Sequence, residues 1–491
     1  MRIGRIAEIT RVFAEEGLDY LVEKRPPPET GEDGKQKPPS NAELAKRLRK
    51  TLERLGPTFV KFGQMLGTRV DLFGPEVIAE LGQLHSHVPP FPNGEARAII
   101  ERELGAKIDE VFIEFPDAPI AAASIAQVYK ARLRAPGEPL VAVKVQRPNL
   151  EQSLLSDLDV LVDVSGFVDA LVPPYHRSMV HRVAQEYARQ AKKEIDFLAE
   201  ADAIEEFKEV LTTQPELRAP AVYRDRCTAR VLVMEWLEGT KLDTLKDKGA
   251  LIELGVDPTE FGRTMLRLQL QMSYEHGFVH GDTHPGNIIL SPDGHVCLID
   301  FGLHARVPRA LRDKMLETLF YQASGKVDEA AAMFASLLAP DPSVNKDLLE
   351  RDLKQVLAGT GKKRTLEDDK ITTQLVEMMR VGASHKVQAQ SELFMVVRNL
   401  TIVEGIVLRY APGLDPAVEV KEITGAILRR RVLGPKMRDE MTLLLPQLLL
   451  TLSKRPQLIE RLLRLERSFT DSKNLGEFLR KEKVIAELTY C

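Results

Sequence analysis

The stretch Gly277-Phe278-Val279-His280-Gly281-Asp282-Thr283-His284-Pro285-Gly286-Asn287, followed by Ile299-Asp300-Phe301-Gly302, decides how this chain is read. An Asp with an Asn five positions on, and an Asp-Phe-Gly further along, is the order in which a phosphoryl-transfer site supplies a proton acceptor and two oxygen ligands for Mg²⁺. Asp282 stands in the first role, and Asn287 and Asp300 in the others. Between them, residues 288–290 and 296–299 are apolar runs around Pro292-Asp293-Gly294, turn chemistry that predicts a β-hairpin. Such a hairpin returns Asn287 and Asp300 to one metal position.

Upstream, strand-like runs at 127–131 and 140–145 flank the turn Ala135-Pro136-Gly137-Glu138 and predict a second hairpin. Its Val141-Ala142-Val143-Lys144 has the form of a strand whose Lys meets nucleotide phosphates and a helix Glu, a task suited to a compact point charge. The segment Glu194-Ile195-Asp196-Phe197-Leu198-Ala199-Glu200 offers three carboxylates as that partner, and spacing does not choose among them. Where a Gly-x-Gly-x-x-Gly would cover the phosphates, this chain has Pro119-Ile120-Ala121-Ala122-Ala123-Ser124-Ile125-Ala126-Gln127. Each alanine adds a Cβ and disfavours positive φ, so Ala121, Ala122, Ala123 and Ser124 are expected to hold a nucleotide differently from glycine. A helix N-terminus of small residues packed on the sheet is the other reading of this segment.

Residues 1–23 have helical spacing, and the prolines at 26–28 and 38–39 frame an exposed linker. A helix is expected over 41–55; Gly56-Pro57 ends it and starts another carrying Phe59, Phe62, Met65 and Leu66, and a third follows near 76–84. Helical patterns cover 150–210, a strand returns at 230–235, and nearly everything after Thr240 apart from the hairpin is helical. The expected fold is α+β and bilobal, protein-kinase-like, with a small mixed N-lobe, a helical C-lobe and a helical N-terminal extension. Its segments are 1–40 (helix and linker), 41–118 (extension), 119–239 (N-lobe), 240–435 (C-lobe) and 436–491 (amphipathic tail). The lobes join at about Glu235 to Gly239, which places ATP in the cleft and Glu235 on its nucleotide side.

Bulk properties narrow the function classes. The 491 residues are 44% apolar and 29% charged, with net charge -4 and pI near 6.3, which gives no global attraction to nucleic acid. Cys227, Cys297 and Cys491 have no Cys-x-x-Cys spacing, so neither a disulfide framework nor a structural zinc site is expected, and the compartment reads as reducing. The N-terminus lacks the apolar core of a signal peptide, which predicts a cytoplasmic protein. In the tail, the twelve apolar-rich residues 441–452 would reach only about 18 Å as a helix, short of a ~30 Å hydrocarbon core. With Lys454-Arg455 and the amphipathic 458–465, this composition fits packing on the helical lobe or peripheral association with anionic lipid at the inner face of the membrane.

The Ala-rich loop, Val-Ala-Val-Lys, His-Gly-Asp-x-His-Pro-Gly-Asn, Asp-Phe-Gly and Lys61-Phe62-Gly63-Gln64 together resemble the UbiB family of atypical kinases, also called ABC1 or AarF, over about residues 50–415. The resemblance implies that the Lys-x-Gly-Gln helix folds over the place where a protein kinase binds peptide and meets a Glu-x-Asp motif. Here these are Lys61, Gln64, Glu194 and Asp196, leaving Glu200 to pair with Lys144. It also implies ATP and Mg²⁺ as cofactors, ATPase activity or phosphorylation of a small molecule or lipid such as a prenylated quinone precursor, and a part in isoprenoid-quinone biosynthesis or lipid homeostasis. A biosynthetic protein complex is the expected partner. Two departures stand out: Thr283 occupies a position where the family usually has Pro, and no Ala-Pro-Glu follows Leu303-His304-Ala305-Arg306, which speaks against peptide substrates. Two other readings remain open at this stage, a phosphotransferase of the aminoglycoside or choline kinase type and a nucleotide-binding scaffold without turnover.

Overall fold

The computed structural model describes residues 2–18, 40–67, 69, 72–84, 89–165, 179–212, 214–338, 344–359, 371–385, 387 and 389–433. The linker, apart from Ser40, and the apolar tail lie outside these residues. Met1–Gly425 form one compact unit and Ala426–Cys491 a second, of which the described part is the end of the last helix.

In chain order the first part holds α1 (Arg2–Glu15), α2 (Asn41–Leu55), α3 (Pro57–Leu66), α4 (Pro75–Leu81), α5 (Asn93–Leu104) and α6 (Ile108–Val111). Strands β1 (Phe112–Glu114), β2 (Ala121–Ala122), β3 (Ala126–Leu133) and β4 (Leu140–Gln146) follow, then α7 (Leu150–Val164), α8 (Met179–Glu194), α9 (Phe197–Leu211), β5 (Leu217–Arg218) and β6 (Val231–Glu235). Ser40 caps α2 by accepting a hydrogen bond from the Glu43 N–H at 3.2 Å. Gly56, at φ +101°, turns the chain directly into α3, whose first residue is Pro57. Ile9, Leu48, Phe59, Phe62, Leu158 and Tyr187 share one core, so α1 and the extension pack on α7 and α8. Burying each large apolar side chain there contributes about 1.5–3 kcal/mol.

The small lobe is an antiparallel sheet ordered β1-β3-β4-β6, with β2 paired to β3. Val141, Val143 and Val145 join the core formed with α5. The period of two therefore turns Ala142, Lys144 and Gln146 to the opposite face. Phe91, Ile99 and Ile100 also belong to this sheet core, whereas Leu81 and Leu84 belong to the extension's, so the two cores divide near residue 89 and not at 118. Helix α5 went unread in the sequence because it packs on the sheet with few apolar residues.

The second part contains β7 (Thr240–Lys241), α10 (Lys248–Glu253), α11 (Pro258–Gln271), β8 (Phe278–His280), β9 (Ile288–Leu290), β10 (Val296–Leu298) and β11 (His304–Arg306). Helices α12 (Arg309–Ala323), α13 (Val327–Leu338), α14 (Lys346–Ala358), α15 (Ile371–Ser384), α16 (Ser391–Tyr410) and α17 (Pro416–Leu433) complete it. The expected hairpin is present as antiparallel β9 and β10. Strands β7, β8 and β11 are additional; at two or three residues each they are too short to leave a periodic signal. In the connection between lobes Gly239 has φ +151° and would place a Cβ 2.3 Å from the Leu290 carbonyl oxygen, which requires glycine.

Candidate active site

Lys144 lies on the central strand of the small sheet and donates to Glu200 Oε1 at 2.9 Å and Oε2 at 2.8 Å. This settles which of the three carboxylates pairs with it. Asp196 instead caps α9, its Oδ1 accepting from the Leu198 N–H at 3.0 Å, and so fixes the start of the helix that carries Glu200 one turn on. Gln146 ties the same turn to β4 by donating to the Ile195 carbonyl at 2.6 Å. Glu200 also accepts from the Phe301 N–H at 3.3 Å, and Asp300 lies 3.7 Å from Lys144. One buried cation thus gathers a helix carboxylate and the Asp-Phe-Gly carboxylate.

The electrostatics follow from that arrangement. Burial works against the Lys144 charge, but Asp300 and Glu200 outweigh it and hold the ammonium well above its ordinary pKa. Lys144 in turn, with the Gly302 N–H, lowers Asp300 to about 2 despite its burial cost. Glu200 is pushed up, chiefly by burial and also by Asp300.

The lower rim is the loop after β8. β8 pairs with β11, and the Gly281 N–H donates to the Leu303 carbonyl at 2.7 Å. A Cβ on Gly281 would sit 2.5 Å from Leu303, so the second residue of His-Gly-Asp has to be small. Asn287 donates to the Asp282 carbonyl at 3.1 Å and to its Oδ2 at 3.2 Å, which leaves the amide oxygen as the end available to a cation. Its backbone carbonyl accepts from the Ile299 N–H at 3.2 Å, setting Asn287 beside the residue that precedes Asp300. His280 is fully buried; its Nδ1 accepts from the Asp282 N–H at 3.2 Å, and burial pushes its imidazole pKa down. Phe301 packs at 5.0 Å against both His280 and Phe207, anchoring the Asp-Phe-Gly turn to the helical lobe and to α9.

The Ala-rich segment is a hairpin tip, not a helix N-terminus. Ala121 and Ala122 pair with Val128 and Gln127, and the Ala123 N–H closes the turn on the Ala126 carbonyl at 2.8 Å. None of these residues has positive φ, so alanine is accommodated without strain. Arg147 holds the tip from behind by donating to the Ala123 carbonyl at 2.9 Å, and the Ser124 hydroxyl has no hydrogen bond among the described residues. Glu235 ends β6 at the connection between lobes, but its carboxylate is taken by Arg218 at 2.6 Å and the Ala221 N–H at 3.0 Å, so any contact with a nucleotide there falls to the backbone.

In the extension, Lys61 forms an ion pair with Glu194 and adds to the positive potential at Asp300. Gln64 does not join them; its amide donates to the Leu84 carbonyl at 2.9 Å. Gly63 permits this packing, since a Cβ there would lie 2.4 Å from Leu84 and 2.6 Å from Leu52.

Two residues of α16 escaped the sequence reading. Asn399 is buried, accepts from the Thr283 hydroxyl and donates to Gln269 Oε1 at 2.6 Å, clamping the loop to α11. Thr283 therefore uses an N–H, directed at Asn399 Oδ1 at 3.4 Å, and a hydroxyl that a Pro would lack. Beside it, Arg398 comes within 3.8 Å of Asp282 Oδ1. The one signal available was a polar residue, Asn399, within the apolar stripe Leu393, Val396, Val397, Leu400 and Val403.

Residues 83–334 match the family model described as ABC1 atypical kinase-like domain. The chain belongs to that family. It is 30% identical over 418 residues to an uncharacterized protein in the hydrogenase 1 5' region of Clostridium pasteurianum, covering 84% of this chain and 74% of that one. To the Arabidopsis thaliana chloroplastic protein Activity of bc1 complex kinase 3 it is 32% identical, covering 81% of this chain and 55% of that protein. A solved complex of Rv3197 with erythromycin from Mycobacterium tuberculosis is 22% identical, with a TM-score of 0.45 over 77% of this chain and 89% of that one. The family and the bilobal architecture together establish an atypical kinase-like protein. Among the described residues no helix is long and apolar enough to cross a membrane.

Proposed function

We propose that the chain binds ATP with Mg²⁺ between its lobes and transfers the γ-phosphoryl group to a small-molecule or lipid acceptor, or to water, in support of isoprenoid-quinone or lipid metabolism at a membrane surface. The observation that carries this reading is the Lys144, Glu200 and Asp300 network facing Asp282 and Asn287. The donor set suits Mg²⁺: Asp300 and Asn287 offer hard oxygens. Mg²⁺ is commonly held by one or two carboxylates together with substrate phosphates, where it neutralises developing charge. Lys144, oriented by Glu200, would meet phosphate oxygens, and the Ala121–Ser124 tip would cover them through backbone N–H groups. Asp282 would take the proton of the acceptor hydroxyl.

Small acceptors are favoured by the extension. Lys61 reaches the Glu194 turn, and Arg69 lies 4.0 Å over the Phe394 ring of α16, so the extension touches both lobes. The role in isoprenoid-quinone or lipid metabolism is carried over from the family resemblance; the Arabidopsis relative's name refers to the bc1 complex. Phosphate release and transfer from labelled ATP, measured with anionic or neutral liposomes and a prenylated phenol, test the proposal. Mg²⁺-dependent turnover raised by lipid or phenol supports it; absence of nucleotide binding under every condition refutes it.

A further inference from the structure

We infer that Arg398, which lies beyond the matched family region 83–334, is a catalytic residue that neutralises the transferred phosphoryl group. This rests on the phosphoryl-transfer reading of the cleft. Arg398 is on α16, one turn after Phe394; its side chain is about one-third exposed and its guanidinium lies 3.8 Å from Asp282 Oδ1. Its one ion pair among the described residues is with Asp282, the proposed base, and it makes no hydrogen bond there, so its N–H donors can turn to a phosphoryl group beside that carboxylate. The helix holding it is fixed: Val396, Val397, Leu400 and Val403 are buried and Asn399 is clamped to Thr283 and Gln269.

Two other cations near the cleft have carboxylate partners at closer range. Lys144 is held between Glu200 and Asp300, and Lys61 by Glu194. A planar guanidinium with free donors is the side chain best matched to phosphate oxygens.

In the step itself, the bond between the γ-phosphorus and the bridging oxygen of ATP breaks, and its electron pair leaves with ADP. A new bond forms to the acceptor oxygen, whose proton passes to Asp282. Charge spreads over the three remaining γ-oxygens during transfer, and Arg398 is placed to meet it there.

Arg398→Ala and Arg398→Lys, assayed in the full chain, test the inference. MgATP affinity should stay within about twofold in both. Turnover of Arg398→Ala should fall by about 10³-fold or more, the scale of an arginine that stabilises this transition state. Its affinity for MgADP with aluminium fluoride should fall in parallel, and added guanidinium should restore part of the turnover. Arg398→Lys should retain an intermediate rate if it melts like the wild type. Wild-type-like turnover in Arg398→Ala, or equal loss of MgATP and MgADP–aluminium fluoride binding, overturns the role of Arg398 alone. Failure of the wild-type chain to bind MgATP overturns the phosphoryl-transfer reading and this inference with it.

Discussion

Removing Lys144 and Glu200 together should cost far less than the sum of their separate losses. The pair is nearly dry, with side-chain exposures of 10% and 2%. Breaking a buried pair by deleting one partner typically costs about 3–5 kcal/mol, because the survivor is left buried and uncompensated. Here relief is available on each side: without Glu200, Lys144 keeps Asp300 at 3.7 Å, and without Lys144, Glu200 is already predisposed to take up a proton. Each of Lys144→Met and Glu200→Gln is therefore expected near the lower end, about 3 kcal/mol. Glu200→Gln also preserves an oxygen for the Phe301 N–H. The double variant leaves neither charge stranded and should cost about 3 kcal/mol as well, a coupling of about 3 kcal/mol. At about 1 °C per kcal/mol for a body of this size, nucleotide-free thermal melts should fall by roughly 3 °C in each single variant and roughly 3 °C, not 6 °C, in the double. Single variants within 1 °C of wild type, or additive losses, would refute the reasoning.

Three further outcomes follow from the site. Gly281→Ala forces a Cβ into Leu303 and should lower stability by about 1–3 kcal/mol and reduce turnover; a wild-type melt would show that Leu303 yields freely. Lys61→Arg keeps the charge opposite Glu194 but changes its shape, so turnover or nucleotide affinity should move while the melt stays within about 1 kcal/mol; unchanged kinetics would make Lys61 a surface ion pair. Ala123→Gly, at the exposed tip, should alter the ATP-to-ADP affinity ratio for a stability cost of about 0.5–1 kcal/mol, and an unchanged ratio by titration calorimetry would leave the tip as packing alone.

The parts of the site that were legible in the sequence are those whose partners are local. Asp282 and Asn287 are joined by their own loop, and Asp300 returns through a hairpin whose turn is written in Pro292-Asp293-Gly294. Spacing left Glu200 one of three candidates because a helix register is fixed by its cap; the resemblance singled it out and set Glu194 with Lys61, whereas the capping role of Asp196 is seen only in the structure. The Ala-rich tip was ambiguous since small residues suit both a tight hairpin and a helix start; pairing with β3 decides it. Arg398 and Asn399 could not be found from spacing, because Asn399 meets Thr283 across 116 residues. The fold's outline was readable from periodicity, while the division of cores near residue 89 depends on which face of α5 meets the sheet.

The central claim is that Asp300 serves metal and nucleotide binding while Asp282 serves the proton. Titrating MgATP into wild type, Asp300→Asn and Asp282→Asn, and measuring turnover of each at saturation, tests it most directly. The account predicts Mg²⁺-dependent binding that Asp300→Asn weakens strongly. Asp282→Asn should keep wild-type affinity and lose about 10²–10⁴-fold in turnover, as expected when a general base is removed. Equal loss of binding in the two variants, or full turnover in Asp282→Asn, would contradict it.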